Sequence, residues 1–145
     1  MPPSPNQVCY SLTVSSSFVE FKEKGFWCWD GHLDPTLRML GEEVDAKSSP
    51  YWLLEARARW LIQASVWGGV IDPDLDAFLR NENCVQLFLA LIDRVLARTD
   101  LSIEVRQTLE MLAALVRGEI ETTASSPLDY MVSVRQPDVP SGGPA

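Results

Sequence analysis

A few side chains in this sequence are of a type and spacing that could support catalysis. Cys28 and His32 could act as a nucleophile and its base, and His32 with Asp34 forms an H-x-D pair like that of iron-dependent oxygenases. The iron site needs a second histidine, and His32 is the only histidine in the 145 residues. A nucleophile also needs a positioned base and a group that orients it, which the sequence does not show, and Cys28 lies between Trp27 and Trp29, as is typical of a core or interface residue. The sequence therefore predicts no catalytic residue and a protein that is not an enzyme.

Aspartates and cysteines are the remaining candidates for chemistry, as metal ligands. Asp72, Asp74 and Asp76 have the D-x-D-x-D spacing of a calcium loop, but Ala77 occupies the glycine position and Asn83 stands where a bidentate glutamate is needed. The three cysteines form no C-x-x-C pair, so the usual spacing of a zinc site is also missing. We expect neither a metal nor a cofactor.

The same three aspartates are typical of a helix N-terminus. Asp72-Pro73 is a helix start signal, with Asp72 as the capping residue and Asp74 near the positive end of the helix dipole. A helix start of this kind would also present Asp72, Asp74 and Asp76 to a basic partner. The residues therefore have a structural and a partner-binding interpretation, which are compatible.

Another acidic group consists of Glu42, Glu43 and Asp45, near the predicted C-terminus of a helix. The helix dipole is unfavourable to acids at that end, so local helix stability does not explain them. Runs of charged residues usually lie on a solvated face, which is one interpretation of this group. The other is that the three residues are part of a partner-binding patch.

The net charge of −8, from 20 acidic and 12 basic side chains, narrows the classes of partner. Nucleic acids and anionic membranes need a cationic surface, so we expect neither as a partner. A basic protein would be attracted by long-range electrostatics, although an acidic balance can also serve solubility alone.

Five tryptophans are the other unusual feature. Trp60 and Trp67 follow helical spacing and are expected in the core. Strand alternation places Trp27 and Trp29 on the same face of a strand. Burial of that face in the core is favoured over its exposure as an anchor for a partner. Trp29 and Trp52 are the candidate anchors for a partner, because tryptophan is enriched among binding hot spots.

The elements that must position these residues are predicted to be a small N-terminal β-hairpin or short sheet followed by helices. The segments VCYSLTV, FVEF and FWCW are β-like, with a turn over residues 22–25 in which Gly25 could take a positive φ; an irregular segment is the alternative. Helix start signals and apolar spacing then predict five helices, which span about 34–46, 51–67, 74–80, 81–98 and 103–117, with Asn81 or Asn83 as the start of the fourth. The apolar residues predicted to face inward are Leu37, Leu40, Val44, Leu53, Ala56, Trp60, Ala64, Trp67, Val85, Phe88, Leu89, Ile92, Val95, Leu96, Val105, Leu109, Leu112, Leu115 and Val116. Short connections favour a mainly α, compact antiparallel bundle, with an α+β fold as the alternative.

The predicted domain organisation has three parts. Residues 1–7 are expected to be a flexible N-terminus, residues 8–121 a single globular domain, and residues 122–145 a mostly flexible tail in which 129–134 could form a short strand. The N-terminus lacks the features of a signal peptide and no apolar run reaches the length of a membrane span. The three cysteines, an odd number, also fit a reducing compartment better than a secreted disulfide scaffold, so the sequence favours a cytoplasmic protein.

The stretch YWLLEARARWLIQASVWGGVIDPDLDAFLR (51–80), together with the small, acidic, single-domain character of the chain, resembles small bacterial immunity proteins of polymorphic or contact-dependent toxin systems. The resemblance implies an antidote that binds its cognate toxin stoichiometrically and covers or distorts the toxin's active site. Many such toxins are basic nucleases, so the two acidic groups would meet their lysines and arginines.

Two other functions stay open from the sequence. One is an adaptor or secretion chaperone that engages an effector through the C-terminal tail. The other is a small-molecule-binding domain with a pocket lined by the Trp- and Cys-rich residues 26–32.

Overall fold

The computed structural model describes residues 16–65 and 71–121, apart from the side chains of residues 63–65. The described residues form a two-stranded antiparallel hairpin and five helices, which confirms the predicted mainly α bundle with a small hairpin. In chain order the elements are β1 (Ser16–Phe21), β2 (Lys24–Trp29), α1 (Asp30–Glu43), α2 (Tyr51–Ser65), α3 (Leu75–Phe78), α4 (Glu82–Leu96) and α5 (Ile103–Val116).

The hairpin has a two-residue turn, and it differs from the predicted one. Phe21 pairs with Lys24, so Lys22 and Glu23 form the turn with φ of 53° and 71°, as a type I′ turn requires. The prediction of a positive φ at Gly25 is wrong, because Gly25 lies within β2 opposite Glu20. Gly25 is needed for a different reason: a Cβ there would collide with the Val19 carbonyl oxygen and approach the Phe18 ring to 2.8 Å.

Helix α1 begins at Asp30, four residues before the predicted start at Asp34-Pro35. The chain passes from β2 into α1 without a loop, and Asp34 is an internal residue that does not cap the helix. A tertiary contact holds the new start, since the Ser17 hydroxyl of β1 donates a 2.7 Å hydrogen bond to the Asp30 carboxylate. Ser17 also accepts the backbone N–H of Ile71 at 3.1 Å, so a buried hydroxyl links β1, α1 and the segment before α3.

The other helix starts follow local signals more closely. The Asn81 side chain accepts the Cys84 N–H and caps α4, and the Ser102 side chain accepts the Val105 N–H and caps α5. The prediction of Asp72 as the cap of α3 is wrong: Asp74 occupies the N-cap position, in the left-handed region with φ of 58°. Helix α3 is also shorter than predicted, with four residues.

The core lies between the hairpin and the inward faces of all five helices. Trp60 of α2 is fully buried, its ring lies 5.8 Å from that of Phe88 in α4, and its indole N–H donates to the Pro73 carbonyl at 3.0 Å. Gly41 allows α1 and α2 to approach closely, because a Cβ there would come within 3.0 Å of Leu61. The predicted inward residues of the described helices are buried or packed against this core: Leu37, Leu40, Val44, Leu53, Ala56, Val85, Phe88, Leu89, Ile92, Val95, Leu96, Val105, Leu109, Leu112, Leu115 and Val116.

Several predictions fall outside the described residues. They concern the N-terminal segment 1–7, the β-like segment 8–14, the side chains of Ala64 and Trp67, and the tail 122–145 with its strand at 129–134. Within residues 16–65 and 71–121, none of the helices combines the length and apolar character needed to cross a membrane.

Candidate partner-binding surface

The first acidic group, Glu42, Glu43 and Asp45, lies at the C-terminal end of α1 and in the loop that follows. The Glu42 side chain is exposed, whereas Glu43 is half-buried and its carboxylate lies 3.5 Å from Nε of Arg94 in α4. The exposed Asp45 carboxylate accepts the Ser48 hydroxyl at 2.6 Å and the Lys47 N–H at 2.9 Å. These hydrogen bonds, that of Ser48 first, lower the pKa of Asp45 and keep it ionised.

Two arginines, Arg94 in the last turn of α4 and Arg98 just after that helix, partly balance this group. The pKa of Arg98 is raised first by its hydrogen bonds to Asp100 and to a smaller extent by the charges of Glu43 and Glu42. The Arg98 guanidinium donates to both Asp100 oxygens, at 3.1 and 3.2 Å. The ends of α1 and α4 therefore meet in a mixed-charge surface, with acidic side chains at its exposed edge.

The second acidic group, Asp72, Asp74 and Asp76, holds α3 in place. The Asp72 carboxylate accepts the Asp74 N–H at 2.8 Å, and the Asp74 carboxylate lies 3.5 Å from the Arg59 guanidinium of α2. The Asp76 carboxylate accepts the N–H of Lys22, in the hairpin turn, at 3.0 Å. Asp72 and Asp76 are exposed despite these structural contacts, and Asp74 is half-buried.

The structure brings together the members of each acidic group but attaches the two groups to different elements. The first contacts α4, and the second contacts α2 and the hairpin turn. Helix α2 lies next to both, since the loop after Asp45 leads into Tyr51 and Arg59 pairs with Asp74.

The two predicted anchors have different surroundings. Trp52 is half-buried and packs against the core from α2. Trp29 is half-buried at the end of β2, where its ring stacks on His32 with a centroid distance of 6.1 Å and an interplanar angle of 14°. Trp52 therefore contributes to the packing of the core, whereas Trp29 stacks on a half-buried histidine.

The favoured core burial of Trp27 and Trp29 is wrong. Alternation does place them on one face, but Phe26 and Cys28 occupy the buried face of β2, and both tryptophans are half-buried. The Trp27 ring contacts Phe18 of β1 at a centroid distance of 5.3 Å. A two-stranded hairpin has only one face against the bundle, so the other face keeps its large side chains partly exposed.

Cys28 has the environment of a structural cysteine. Its sulfur lies 4.0 Å from the Thr108 hydroxyl and donates to the Trp29 carbonyl at 3.5 Å. Burial raises the pKa of the Cys28 thiol to about 12, which disfavours the thiolate that a nucleophile needs. Among the described residues, no three His, Cys, Asp or Glu side chains are grouped in a way that could hold a metal ion.

Three polar side-chain atoms in the described part of the chain are buried without a hydrogen-bond partner: Trp27 Nε1, Asp34 Oδ1 and Arg57 Nε. Trp27 belongs to the region for which the sequence leaves a small-molecule site open. No hydrogen bond or ring contact among the described residues joins these three atoms into one site. The small-molecule-binding alternative therefore stays a prediction.

Three exposed side chains on the outer face of α2 were not among the candidate binding residues selected from the sequence. Tyr51 and Ile62 are 75% and 59% exposed, and Ala58 is exposed between them. Together with Glu55, these residues have the spacing of one helix face. The signal in the sequence was therefore that apolar residues occur on the outer face of this helix as well as on its inward face.

No protein-family model, curated protein or solved structure matches this chain. The function is therefore inferred from the chain's own residues.

Proposed function

We propose that this protein is a non-catalytic antidote, of the kind represented by bacterial immunity proteins, that neutralises a basic protein toxin by stoichiometric binding. The observation that carries the proposal is the exposure of four of the six candidate carboxylates, those of Glu42, Asp45, Asp72 and Asp76, on a chain with a net charge of −8. Their neighbours Glu43 and Asp74 are half-buried and paired with arginines, which holds the acidic groups in place.

Charge and apolar anchors would have separate roles in this mechanism. The negative field would steer a basic partner toward the surface and raise the association rate, especially at low ionic strength. The partner's lysines and arginines would then contact the exposed carboxylates. Partly exposed aromatic side chains, Trp29 in particular, would set the lifetime of the complex, because affinity within one interface is mainly determined by the dissociation rate. The proposal also assigns the protein to the cytoplasm, where its free buried thiols Cys28 and Cys84 would stay reduced.

The first step of the test is to capture the partner from the native host by affinity purification at low and moderate salt. Association is then measured by stopped-flow with the purified pair for the wild type and the Glu42→Lys variant. We expect the association rate constant to fall about threefold to tenfold at low salt, with a smaller change in dissociation, because Glu42 is exposed in the first acidic group.

Glu110→Lys is the matched control, since it makes the same change in net charge at an exposed position of α5. We expect it to change the association rate less than twofold. Equal effects of the two variants would show that only net charge acts, and the absence of a stoichiometric protein partner at both salt concentrations would refute the proposal.

A further inference from the structure

The outer face of α2 carries the apolar side chains of Tyr51, Ala58 and Ile62 together with the charged side chains of Glu55 and Arg59. Tyr51, Glu55, Ala58 and Ile62 are separated by four, three and four residues, so they form one stripe along the helix, and all four are exposed. Tyr51 and Ile62, at the two ends of the stripe, are among the most exposed large apolar side chains of the described residues, at 75% and 59%. We call these four residues the α2 stripe.

The α2 stripe differs from the outward faces of the other long helices in carrying two large exposed apolar side chains, whereas α4 has none and α5 has Ile103 alone. The other exposed side chains of α4 and α5 are polar or charged, apart from Ala90. An amphipathic helix normally turns polar side chains to solvent, so two large apolar side chains on one outward face point to a contact surface. The inward face of α2 is covered by the core through Leu53, Ala56 and Trp60.

The charges around the stripe indicate what could cover it. The first acidic group precedes Tyr51 in the chain, and the second lies along the flank of α2 where Asp74 pairs with Arg59. Glu55 is the charged residue of the stripe, and the exposed Arg59 beside it is paired with Asp74. A basic surface with aliphatic side chains at its centre complements this arrangement, whereas a second copy of the chain would bring two net charges of −8 together.

We propose that the α2 stripe is a docking surface for a cationic amphipathic helix, whose aliphatic face packs on Tyr51, Ala58 and Ile62 while its lysines or arginines contact Glu55 and the acidic groups on either side. The proposal deepens the proposed function and rests on it, because the helix belongs to the same basic partner. Tyr51 is the main anchor by residue type, since tyrosine is enriched among hot spots.

The test uses fluorescein-labelled peptides of about 18 residues, or five helical turns. One has leucines on one face and lysines elsewhere, the second has the same composition in scrambled order, and the third has glutamates in place of the lysines. Fluorescence anisotropy with the full chain should show the amphipathic lysine peptide binding at least about tenfold more tightly than the other two. Ile62→Lys should weaken that binding about tenfold, because it places a charge in the apolar contact.

Ile103→Lys is the matched control, since Ile103 is 64% exposed at the first position of α5. It should change the affinity less than twofold. Equal effects of the two isoleucine variants, or equal binding of the scrambled peptide, would overturn the docking surface. So would a dimer in sedimentation that Ile62→Lys dissociates, because the occupant would then be a second copy. The two proposals can fail separately. If Glu42→Lys slows association with the captured partner while Ile62→Lys changes binding of neither that partner nor the lysine peptide, the proposed function stands and only the docking surface on the α2 stripe is refuted.

Discussion

At the scale of single residues, four of the described aspartates have shifted pKa values and form two classes, raised for Asp30 and Asp34 and lowered for Asp45 and Asp100. Burial raises the pKa of Asp30 and Asp34 in α1, and this is only partly offset by the Ser17 hydroxyl at Asp30 and by the charge of Arg38 near Asp34. Asp100 has a lowered pKa, because Arg98 donates hydrogen bonds to it. Ionised Asp30 and Asp34 therefore destabilise the folded state, whereas ionised Asp100 stabilises it.

The pH dependence of stability follows from these directions. Asp34 has an ordinary pKa of 3.8 and a higher one in the folded protein, so the stability it contributes is full below the unfolded pKa and is lost as the pH rises through the folded pKa. Asp34→Asn removes this loss. The free energy of unfolding of the variant, relative to wild type, should therefore increase between about pH 4 and pH 7 in urea denaturation.

Asp100→Asn should show the opposite trend. The stability from Asp100 is present above the unfolded pKa of 3.8 and is lost as the pH falls through its lower folded pKa. The variant should be less stable than wild type at neutral pH and approach it in acid. Parallel pH curves for the two variants would contradict the assignment.

At the scale of elements, the hairpin turn stores backbone strain that its residue types do not relieve. A type I′ turn favours asparagine and glycine because both central residues need a positive φ, and here those residues are Lys22 and Glu23. The turn persists because tertiary contacts surround it: Lys22 donates its N–H to Asp76, and β1 and β2 pack on the bundle through Val19, Phe21 and Phe26.

Glycine substitution tests this strain. Glu23→Gly should increase the free energy of unfolding by about 0.5–1 kcal/mol, since relief of the left-handed conformation exceeds the entropy cost of glycine. Gly25→Ala should instead decrease it by about 1–3 kcal/mol, because its Cβ would overlap with Val19 and Phe18. Urea denaturation measures both values, and a stabilising Gly25→Ala would show that the paired position of Gly25 in β2 is incorrect.

At the scale of the whole molecule, Trp60 connects elements that are distant in sequence. Its ring contacts Phe88 of α4, and its N–H donates to the Pro73 carbonyl, which links α2 to the segment before α3. The second acidic group is therefore positioned by a buried contact as well as by the Arg59 ion pair.

Trp60→Phe should destabilise the protein by about 2–3 kcal/mol, because it creates a cavity and leaves the Pro73 carbonyl without its donor. Trp52→Phe is the control, since Trp52 is half-buried and should cost about 1 kcal/mol or less. Denaturation followed by circular dichroism measures both losses, and equal losses would contradict the central position of Trp60.

Much of the fold could be predicted from the sequence, because the signals involved are local. Apolar spacing predicted the inward faces of the helices, Ser102 predicted the start of α5, and Asn81 was one of the two predicted starts of α4. A capping hydrogen bond joins residues three positions apart, so residues that are close in the sequence are enough to predict where the helix begins. The sequence by itself also determined the acidic charge and the residues of both acidic groups.

The tertiary structure decided the features that depend on contacts between distant residues. The early start of α1 depends on the bond between Ser17 and Asp30, and the partial exposure of Trp29 depends on which face of the hairpin meets the bundle. Likewise, no local pattern predicts that Asp74 pairs with Arg59, or that the outer face of α2 is left exposed. Periodicity shows that a helix has two apolar faces, but which of them is buried depends on where the neighbouring elements pack.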